Sequence, residues 1–215
     1  MDDIVLSSML KWPNVPSVYG WLRLDRRGRW LIRKTDPKRR VSPAAAPGVQ
    51  AGAPRFERIV NPAMIEFIGR NYTRDAEGRY FFQNGPQRVF VTLEYTPWIY
   101  RLDASGQRFV AHTGAAAGSP REAYLDDRGG LIVVCAPGPG AVLDRDLAAL
   151  TERFSDLAGH ALDFEALIEK TTAGRSTRAR LAGTEVTVGT IRAKELAARF
   201  GFIERPAPPE GQPDC

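Results

Sequence analysis

The chain has 215 residues, of which 43% are hydrophobic, and it carries a net charge of +5. This size is sufficient for one large domain or for two small lobes that share a core. Its longest apolar runs, such as residues 131–134, are far too short to cross a bilayer, which takes roughly 20 residues. The first residues also lack the basic start and apolar stretch of a signal peptide. We therefore expect a soluble, cytoplasmic protein without a membrane span.

The positive charge is concentrated in one segment, residues 23–40. Nine basic and two acidic residues give this segment a charge of +7, which leaves the remaining chain at −2. The segment could therefore contact a polyanion, whereas the rest of the chain has no general preference for one. The candidate contacts for a nucleic acid or an anionic surface are Arg33, Lys34, Lys38, Arg39 and Arg40.

An Asp-x-x-Gly motif recurs along the chain, each time before an apolar run. The Asp side chain can accept hydrogen bonds from amides further along a type I turn, and the Gly can take the left-handed conformation that closes a hairpin. A calcium loop would need several acids at alternating positions, which these motifs do not have. We interpret the motif as a structural turn. The four copies are Asp25 to Gly28, Asp75 to Gly78, Asp103 to Gly106 and Asp126 to Gly129.

The first half predicts strands, an insertion and a helix. An N-terminal segment, residues 1–20, precedes the first hairpin. Residues 36–54 are rich in Pro, Ala and Gly without apolar periodicity, which predicts a disordered insertion. Asn61 followed by proline is typical of a helix start. The sequence RYFFQNGPQRVFVTLEY then predicts a hairpin with Asn84-Gly85 in its turn.

The second half predicts helices that alternate with strands. The small residues of HTGAAAGSP, 112–120, indicate a boundary between lobes. One helix is predicted with Asp144 as its cap, and another after Asp163. The sequence TRARLAGTEVTVGT predicts a hairpin, and a final helix is predicted from a Thr190 cap to a Gly201 stop.

The two halves share one plan once the insertion is removed. Each has an Asp-x-x-Gly hairpin, a short connection and a capped helix, with Gly28 before Asn61 and Gly129 before Asp144. This similarity indicates an internal duplication. The predicted fold class is α+β: two similar small lobes of antiparallel hairpins with short packed helices. The expected domains are the first lobe at 21–112 and the second at 119–205, flanked by the segment 1–20 and a disordered tail, 206–215.

Three stretches resemble a bacterial family of unknown function: DRRGRW, NPAMIEFIGRNY and GRYFFQNGPQRVFVTLEYTPWIYRL. The shared plan is a hairpin, a short helix, a second hairpin and a strand that ends in Glu94, just before Pro97-Trp98. More loosely, the chain is similar to two-lobed β-rich proteins, also of unknown function. The match covers roughly residues 20–155. The resemblance implies a repeated fold and a role in signalling or ligand sensing, and it transfers no catalytic residues.

One candidate recognition surface combines a hairpin tip with the end of the preceding helix. Arginines in this surface could grip a carboxylate or a phosphate with two hydrogen bonds. A structural turn with solvated arginines explains the same pattern. The residues of this candidate surface are Arg70, Asn71, Tyr72, Gln83, Asn84, Gln87 and Arg88.

Aromatic residues crowd the first half of the chain. Beside arginines they could stack on nucleic-acid bases. Their strand-like spacing favours a simpler interpretation, in which they form the core and its rim. The set comprises Trp12, Tyr19, Trp21, Trp30, Tyr72, Tyr80, Phe81, Phe82, Tyr95, Trp98 and Tyr100.

The sequence offers little support for catalysis. Two cysteines and two histidines, none closely spaced, do not suit a standard zinc site, and neither His112 nor His160 has an obvious nucleophile as a partner. We expect no metal, no cofactor and no catalytic residue. The favoured function is a non-enzymatic, signalling-type module that binds a small ligand or a protein partner in its lobes or in the cleft between them. The alternatives are weak contact of residues 23–40 with nucleic acid or an anionic surface, and an enzyme of unknown class.

Overall fold

The computed structural model describes residues 1–34, 54–172 and 175–210. Within them the chain forms two β-sheets with short helices, which confirms the predicted α+β fold with two lobes. The predicted insertion, 36–54, lies outside the described residues except for Pro54, and residues 211–215 of the predicted tail also lie outside them. In these described ranges, no helix has the length and hydropathy needed to cross a membrane.

The first sheet has six strands in the order β3-β2-β1-β6-β5-β4. Its central pair, β1 and β6, is parallel, and the other neighbours are antiparallel. A helix, α1, precedes the sheet, and a second helix, α2, lies between β3 and β4 in the chain. The bounds are α1 Asp3–Lys11, β1 Val18–Leu24, β2 Trp30–Arg33, β3 Phe56–Arg58, α2 Pro62–Arg70, β4 Tyr72–Arg74, β5 Tyr80–Asn84 and β6 Gln87–Leu93.

The second sheet has nine strands in the order β13-β14-β15-β10-β11-β12-β7-β8-β9. The pairs β12 with β7 and β10 with β15 are parallel. The bounds are β7 Trp98–Leu102, β8 Phe109–Ala111, β9 Ala116–Gly118, β10 Glu122–Asp126, β11 Leu131–Cys135, β12 Gly138–Val142, α3 Asp144–Thr151, β13 Phe154–Ser155, α4 Phe164–Thr172, β14 Thr177–Leu181, β15 Thr184–Ile191, a 3-10 turn Ala193–Glu195 and α5 Leu196–Phe200.

Six strands of the second sheet repeat the strand order of the first. The order β9-β8-β7-β12-β11-β10 matches β3-β2-β1-β6-β5-β4. In each set the two strands that come first and last in the chain, β1 with β6 and β7 with β12, form the parallel central pair. The matching positions pair the Gly28 turn with the Gly106 turn, and the Gly78 turn with the Gly129 turn. The predicted pairing of Gly28 with Gly129 is therefore wrong. Sequence spacing misled it because α2 lies inside the first set of strands, whereas α3 follows the second.

The two sheets pack face to face over one core. Trp30 and Tyr80 from the first sheet meet Ile99 and Ile132 from the second in this cluster, as expected for two sheets that each turn one apolar face inwards. The other face of the second sheet is covered by α3 and α4, so that every residue of β11 is buried. On the other face of the first sheet, the described residues form a small buried aromatic cluster. Within the described part of the chain, the second sheet is thus covered on both faces and the first mainly on one.

The break between the sheets lies between Leu93 and Trp98. Strands β7 and β8 therefore belong to the second sheet, although the predicted lobe boundary, 112–119, would assign them to the first. Short alternating strands do not reveal their sheet, because the partner of each strand is distant in sequence. The domain bounds 21–112 and 119–205 stay a prediction.

Of the predicted helix boundaries, the Asn61 cap and the Gly201 stop are confirmed, whereas the Asp144 and Thr190 caps are wrong. The Asn61 side chain caps α2 by accepting a hydrogen bond from the amide of Met64 at 3.2 Å. Asp144 is the first residue of α3 and not its cap, since Leu143 occupies that position. Thr190 lies in β15 and donates to the carbonyl oxygen of Thr171. Gly201 ends α5 in the left-handed conformation, with φ of 64°.

Candidate functional site

The predicted recognition surface is occupied in part by the N-terminus. Arg70 Nε donates to the carboxylate of Asp2 at 3.1 Å, and the amide side chain of Asn71 donates to the same carboxylate at 3.2 Å. These contacts lower the pKa of Asp2, with the hydrogen bond from Arg70 as the main cause. Tyr72 is buried, and its hydroxyl donates to the carbonyl of Pro97 at 2.9 Å. These three residues have internal partners, and ligand binding by them stays a prediction.

The hairpin tip lies beside this N-terminal contact. Gln83 and Arg88 face each other across β5 and β6, and Asn84 faces Gln87, so the turn residues are Gly85 and Pro86 rather than Asn84-Gly85. The side chain of Gln83 is buried and donates to the carbonyl of Gly85 at 2.9 Å. That of Gln87 donates to the carbonyl of Pro16. The structure therefore brings the tip residues together, with the two glutamine side chains donating to the backbone.

The four Asp-x-x-Gly turns have one geometry. In each, a carboxylate oxygen of the Asp accepts hydrogen bonds from backbone amides two and four residues further along, or four and five in the Asp103 turn. The glycines have φ between 66° and 81°. Asp25 and Asp75 also bind the guanidinium of the arginine that follows the glycine. Although burial opposes it, this hydrogen bond lowers the pKa of Asp75.

The solvent side of the first sheet carries arginines laid over aromatic rings. The distance from the guanidinium carbon to the ring centre is 4.0 Å for Arg23 over Phe56 and 4.9 Å for Arg88 over Phe81. Arg79 covers Phe90 at 4.8 Å, and Arg33 lies over Trp21 at 5.8 Å. We call this surface the arginine–aromatic face. Its residues are Arg23, Arg33, Arg58, Arg79 and Arg88 with Tyr19, Trp21, Phe56, Phe81 and Phe90.

Among the described residues, three acidic side chains pair with arginines of this face. Glu94 pairs with Arg23 at 3.4 Å, and Asp75 and Glu77 pair with Arg79 at 2.7 and 3.0 Å. Among the described residues, Arg33, Arg58 and Arg88 have no acidic side chain within 4 Å.

A cavity of about 490 Å³ lies in the second lobe, beside the turn that contains Gly129. We call it the Gly129 cavity. Three acidic residues and one arginine stand among its polar lining residues: Asp126, Asp127, Glu195 and Arg192. Its apolar walls are Leu125, Leu131, Leu147, Phe164, Ile168 and Ile191.

The acids of the Gly129 cavity are held in place by internal contacts. Asp126 accepts the hydroxyl of Tyr95, and burial followed by this contact raises the pKa of Tyr95. Asp127 accepts the amide of Ala193 at 2.7 Å. Glu195 pairs with Arg192, which lowers the pKa of Glu195. These contacts fix the positions of the three acidic side chains around the cavity.

A second recess, which we call the Tyr124 cleft, shares Thr190, Ile191 and Glu195 with the Gly129 cavity. Its volume is about 880 Å³. In it the hydroxyl of Tyr124 donates to Glu122 and accepts from Arg199 at 2.7 Å. Burial, and next the bond to Glu122, raises the pKa of Tyr124, so this hydroxyl stays protonated at neutral pH.

A family profile described as "Protein of unknown function (DUF2946)" matches residues 1–207. The chain belongs to this family. A crystal structure of a DUF1285 family protein from Silicibacter pomeroyi DSS-3 is similar to it, with 17% sequence identity over 85% of this chain and 86% of that chain, and a TM-score of 0.47. No curated protein matches the chain.

His112 is buried between the sheets in this family member, among Trp30, Tyr72 and Trp98. Its Nδ1 accepts the amide of Ile99 at 3.3 Å, and burial lowers its pKa to about 3. The predicted absence of a nucleophile partner stays a prediction. His160 is 81% exposed and pairs with Asp156 at 3.0 Å. In the described part of the chain, no cluster of His, Cys, Asp and Glu suits a metal ion.

Sequence reasoning missed the Gly129 cavity and one turn. Asp156, Gly159 and His160 repeat the hydrogen bonds of the four predicted turns, with the Asp156 carboxylate accepting the amide of His160 at 2.9 Å. The spacing DLAGH was a readable signal for it. The cavity had no such signal, because its walls come from β10, β11, α3, α4 and β15.

Proposed function

We propose that this protein is a non-enzymatic binding module whose small-ligand site is the Gly129 cavity. The observation that carries the proposal is a preformed cavity of about 490 Å³ with apolar walls. Small-molecule sites are typically concave, largely apolar and roughly 300 to 1,000 Å³ in volume, with a few placed polar groups. The Gly129 cavity has this size and composition.

The charges of the lining indicate the class of ligand. Asp126, Asp127 and Glu195 outnumber Arg192 by two negative charges. An anionic ligand would be repelled there, whereas a neutral or cationic one would not. We therefore propose an apolar molecule that is uncharged or carries one positive group.

A thermal-shift screen of metabolites and nucleotides tests this function. We expect apolar neutral or cationic compounds to raise the melting temperature, and Ile168→Trp to abolish that shift by filling the cavity. Leu157→Trp is the matched control, because Leu157 and Ile168 are both 40% exposed and Leu157 does not line the cavity. A screen without stabilising compounds, or hits that Ile168→Trp leaves unchanged, would overturn the proposal.

Weak polyanion contact through residues 23–40 is the second candidate. Arg33 has no acidic partner among the described residues, and Lys34 pairs with Glu57 at 3.0 Å. Lys38, Arg39 and Arg40 lie outside the described residues. Deletion of residues 36–54 removes these three charges. If polyanion binding disappears while the fold and the ligand response remain, this segment alone carries the contact.

We also propose a biological role for this module. The resemblance noted from the sequence supports a bacterial, cytoplasmic role in signalling, in which ligand binding in one lobe would alter a partner contact elsewhere. The matching strand orders support an internal duplication. An enzyme of unknown class is the remaining alternative, and any turnover of a screened ligand would favour it.

A further inference from the structure

We propose that the arginine–aromatic face binds single-stranded nucleic acid. This function is separate from the proposed small-ligand site, which lies in the other lobe. The face is built on the folded sheet by side chains from β1, β2, β3, β5 and β6, together with Arg79 directly before β5. It is therefore broader than the basic segment 23–40, and Arg58, Arg79 and Arg88 lie outside that segment.

Guanidinium groups lie over aromatic rings on this face. Phe81 and Phe90 are buried beneath Arg88 and Arg79, whose guanidinium carbons lie 4.9 and 4.8 Å from the ring centres. A guanidinium that stacks on an aromatic ring can offer its outer surface to a further planar group. Arg88 is the better candidate of the two, because the Arg79 side chain is only 20% exposed and pairs with Asp75 and Glu77. Unpaired bases stack on aromatic rings and guanidinium planes in this way.

The charge of the face fits a phosphate backbone. The face carries five arginines, and Arg33, Arg58 and Arg88 have no acidic partner among the described residues. The other two pair with Glu94, Asp75 and Glu77, so the face keeps a net positive charge. The five strands that supply most of these side chains span roughly 19 Å at about 4.8 Å per strand. This width suits several nucleotides, since sheet-based binding sites on single strands take about 4 to 16.

Two other polyanions fit the face less well. A duplex hides its base faces inside the stack, so that stacking on the guanidinium planes and rings would be lost and only its backbone and base edges would remain. A membrane surface favours aromatic side chains that can enter the lipid boundary, but three of the five rings of this face, Tyr19, Phe81 and Phe90, are at most 5% exposed. Of these three polyanions, a single strand is the one whose bases can stack on the guanidinium groups while its phosphates contact the arginine charges.

The test is fluorescence anisotropy with labelled oligouridine of about 12 nucleotides. The variant combines Arg33→Gln, Arg58→Gln and Arg88→Gln. The control combines Arg145→Gln, Arg178→Gln and Arg180→Gln, which removes the same charge from the second lobe. At about 50 mM salt we expect the face variant to lose on the order of a hundredfold in affinity, with a salt dependence weaker by about 0.7 per arginine. The control is expected to bind like the unmodified protein.

Trp21→Leu separates stacking from charge. This substitution removes a ring without changing charge, so affinity should fall by about tenfold while the salt dependence stays the same. Deletion of residues 36–54 should leave most of the binding intact. Circular dichroism confirms that each variant is folded.

Several results would overturn the inference. They are no binding of oligouridine by the unmodified protein at low salt, an equal loss in the two triple variants, and binding to anionic phosphatidylglycerol vesicles or to an RNA duplex that is as tight as binding to the single strand. Failure here leaves the thermal-shift response of the Gly129 cavity untouched, so the two proposals fail separately.

Discussion

The first six strands and the six that begin with β7 share a strand order, yet their turns meet different surroundings. A β-carbon added to Gly78 would collide with the carbonyl of Gly201, whereas one added to the equivalent Gly129 would meet nothing within 4 Å. A β-carbon on Gly28 would lie 2.7 Å from that of His112. Gly106, the equivalent of Gly28, also faces a neighbour, since a β-carbon there would lie 2.7 Å from a guanidinium nitrogen of Arg153. The difference therefore lies in the second pair of turns: the Gly78 turn is a docking contact, whereas the Gly129 turn is an open bend beside a cavity.

The sheet edges differ in the same way. In the first set the turn after β4 meets the C-terminal segment, where the backbone of Arg79 forms an isolated parallel β-bridge with Ile203. In the second set the equivalent strand, β10, pairs with β15 of an added hairpin. The Gly129 cavity forms where this addition and α4 meet the turn. The Gly129 cavity therefore depends on elements that are added after the six shared strands: α3, α4 and β15.

Gly78→Ala should show the largest difference between the two sets. The new methyl group would collide with the carbonyl oxygen of Gly201, and residue 78 has the left-handed conformation that disfavours alanine. We therefore expect a loss of about 4 kcal/mol in unfolding free energy. Gly129→Ala adds only the conformational cost of about 1 kcal/mol. Urea unfolding of both variants measures this. Equal losses would show that the surroundings of the turns are not what distinguishes them.

Acid should destabilise the contact between the sheets through His112. Burial lowers its pKa to about 3, below the value of about 6.5 in an unfolded chain. The unfolded state therefore takes up the proton first, so the stability is complete above about pH 6.5 and falls by about 1.4 kcal/mol per pH unit as the pH drops towards 3.

Urea unfolding at several pH values from about 7 to 4.5 provides the measurement. Over this range we expect His112 to account for a loss of about 3 kcal/mol in unfolding free energy. His112→Phe should weaken the pH dependence by that amount. His160→Gln, which alters an 81% exposed ring, is the control. An unchanged slope in His112→Phe would remove His112 as the cause.

Local features of both sets were predictable from the sequence. The Asp-x-x-Gly turns, the strands beside them and the Asn61 cap depend on contacts within a few residues, which a local pattern records. The pairing of β1 with β6 and of β10 with β15 joins residues 65 or more apart, and a local pattern carries no information on it.

The candidate sites were visible only in part for the same reason. The spacing of Tyr19, Trp21 and Arg23 in β1 indicated one strand of the arginine–aromatic face. Arg88 and Phe90 join that strand only through the parallel pair β1 and β6. The hydroxyl contact of Tyr95 with Asp126 could not be predicted either, because the two residues meet where the link between the sheets passes a turn.

Tyr95→Phe tests that link between the two sets. The hydroxyl of Tyr95 donates to the carboxylate of Asp126, and a hydrogen bond to a charged group contributes about 2 kcal/mol. We expect a loss of this size in unfolding free energy. Tyr80→Phe is the control, because the hydroxyl of Tyr80 is also buried but, among the described residues, has no carboxylate as a partner. A loss in Tyr80→Phe as large as in Tyr95→Phe would contradict the role of the Asp126 contact.

The smallest expected effect separates the helices of the two sets. Asn61→Ala removes the side chain that accepts the amide of Met64 and caps α2, which should cost about 1 kcal/mol in unfolding free energy. Asp144→Ala removes an acid from the first turn of α3, whose cap residue Leu143 makes no side-chain bond. Only the favourable charge at the helix start is lost there, about 0.5 kcal/mol. Thermal unfolding at low and high salt distinguishes the two, because salt screens the charge effect of Asp144 and leaves the Asn61 hydrogen bond in place.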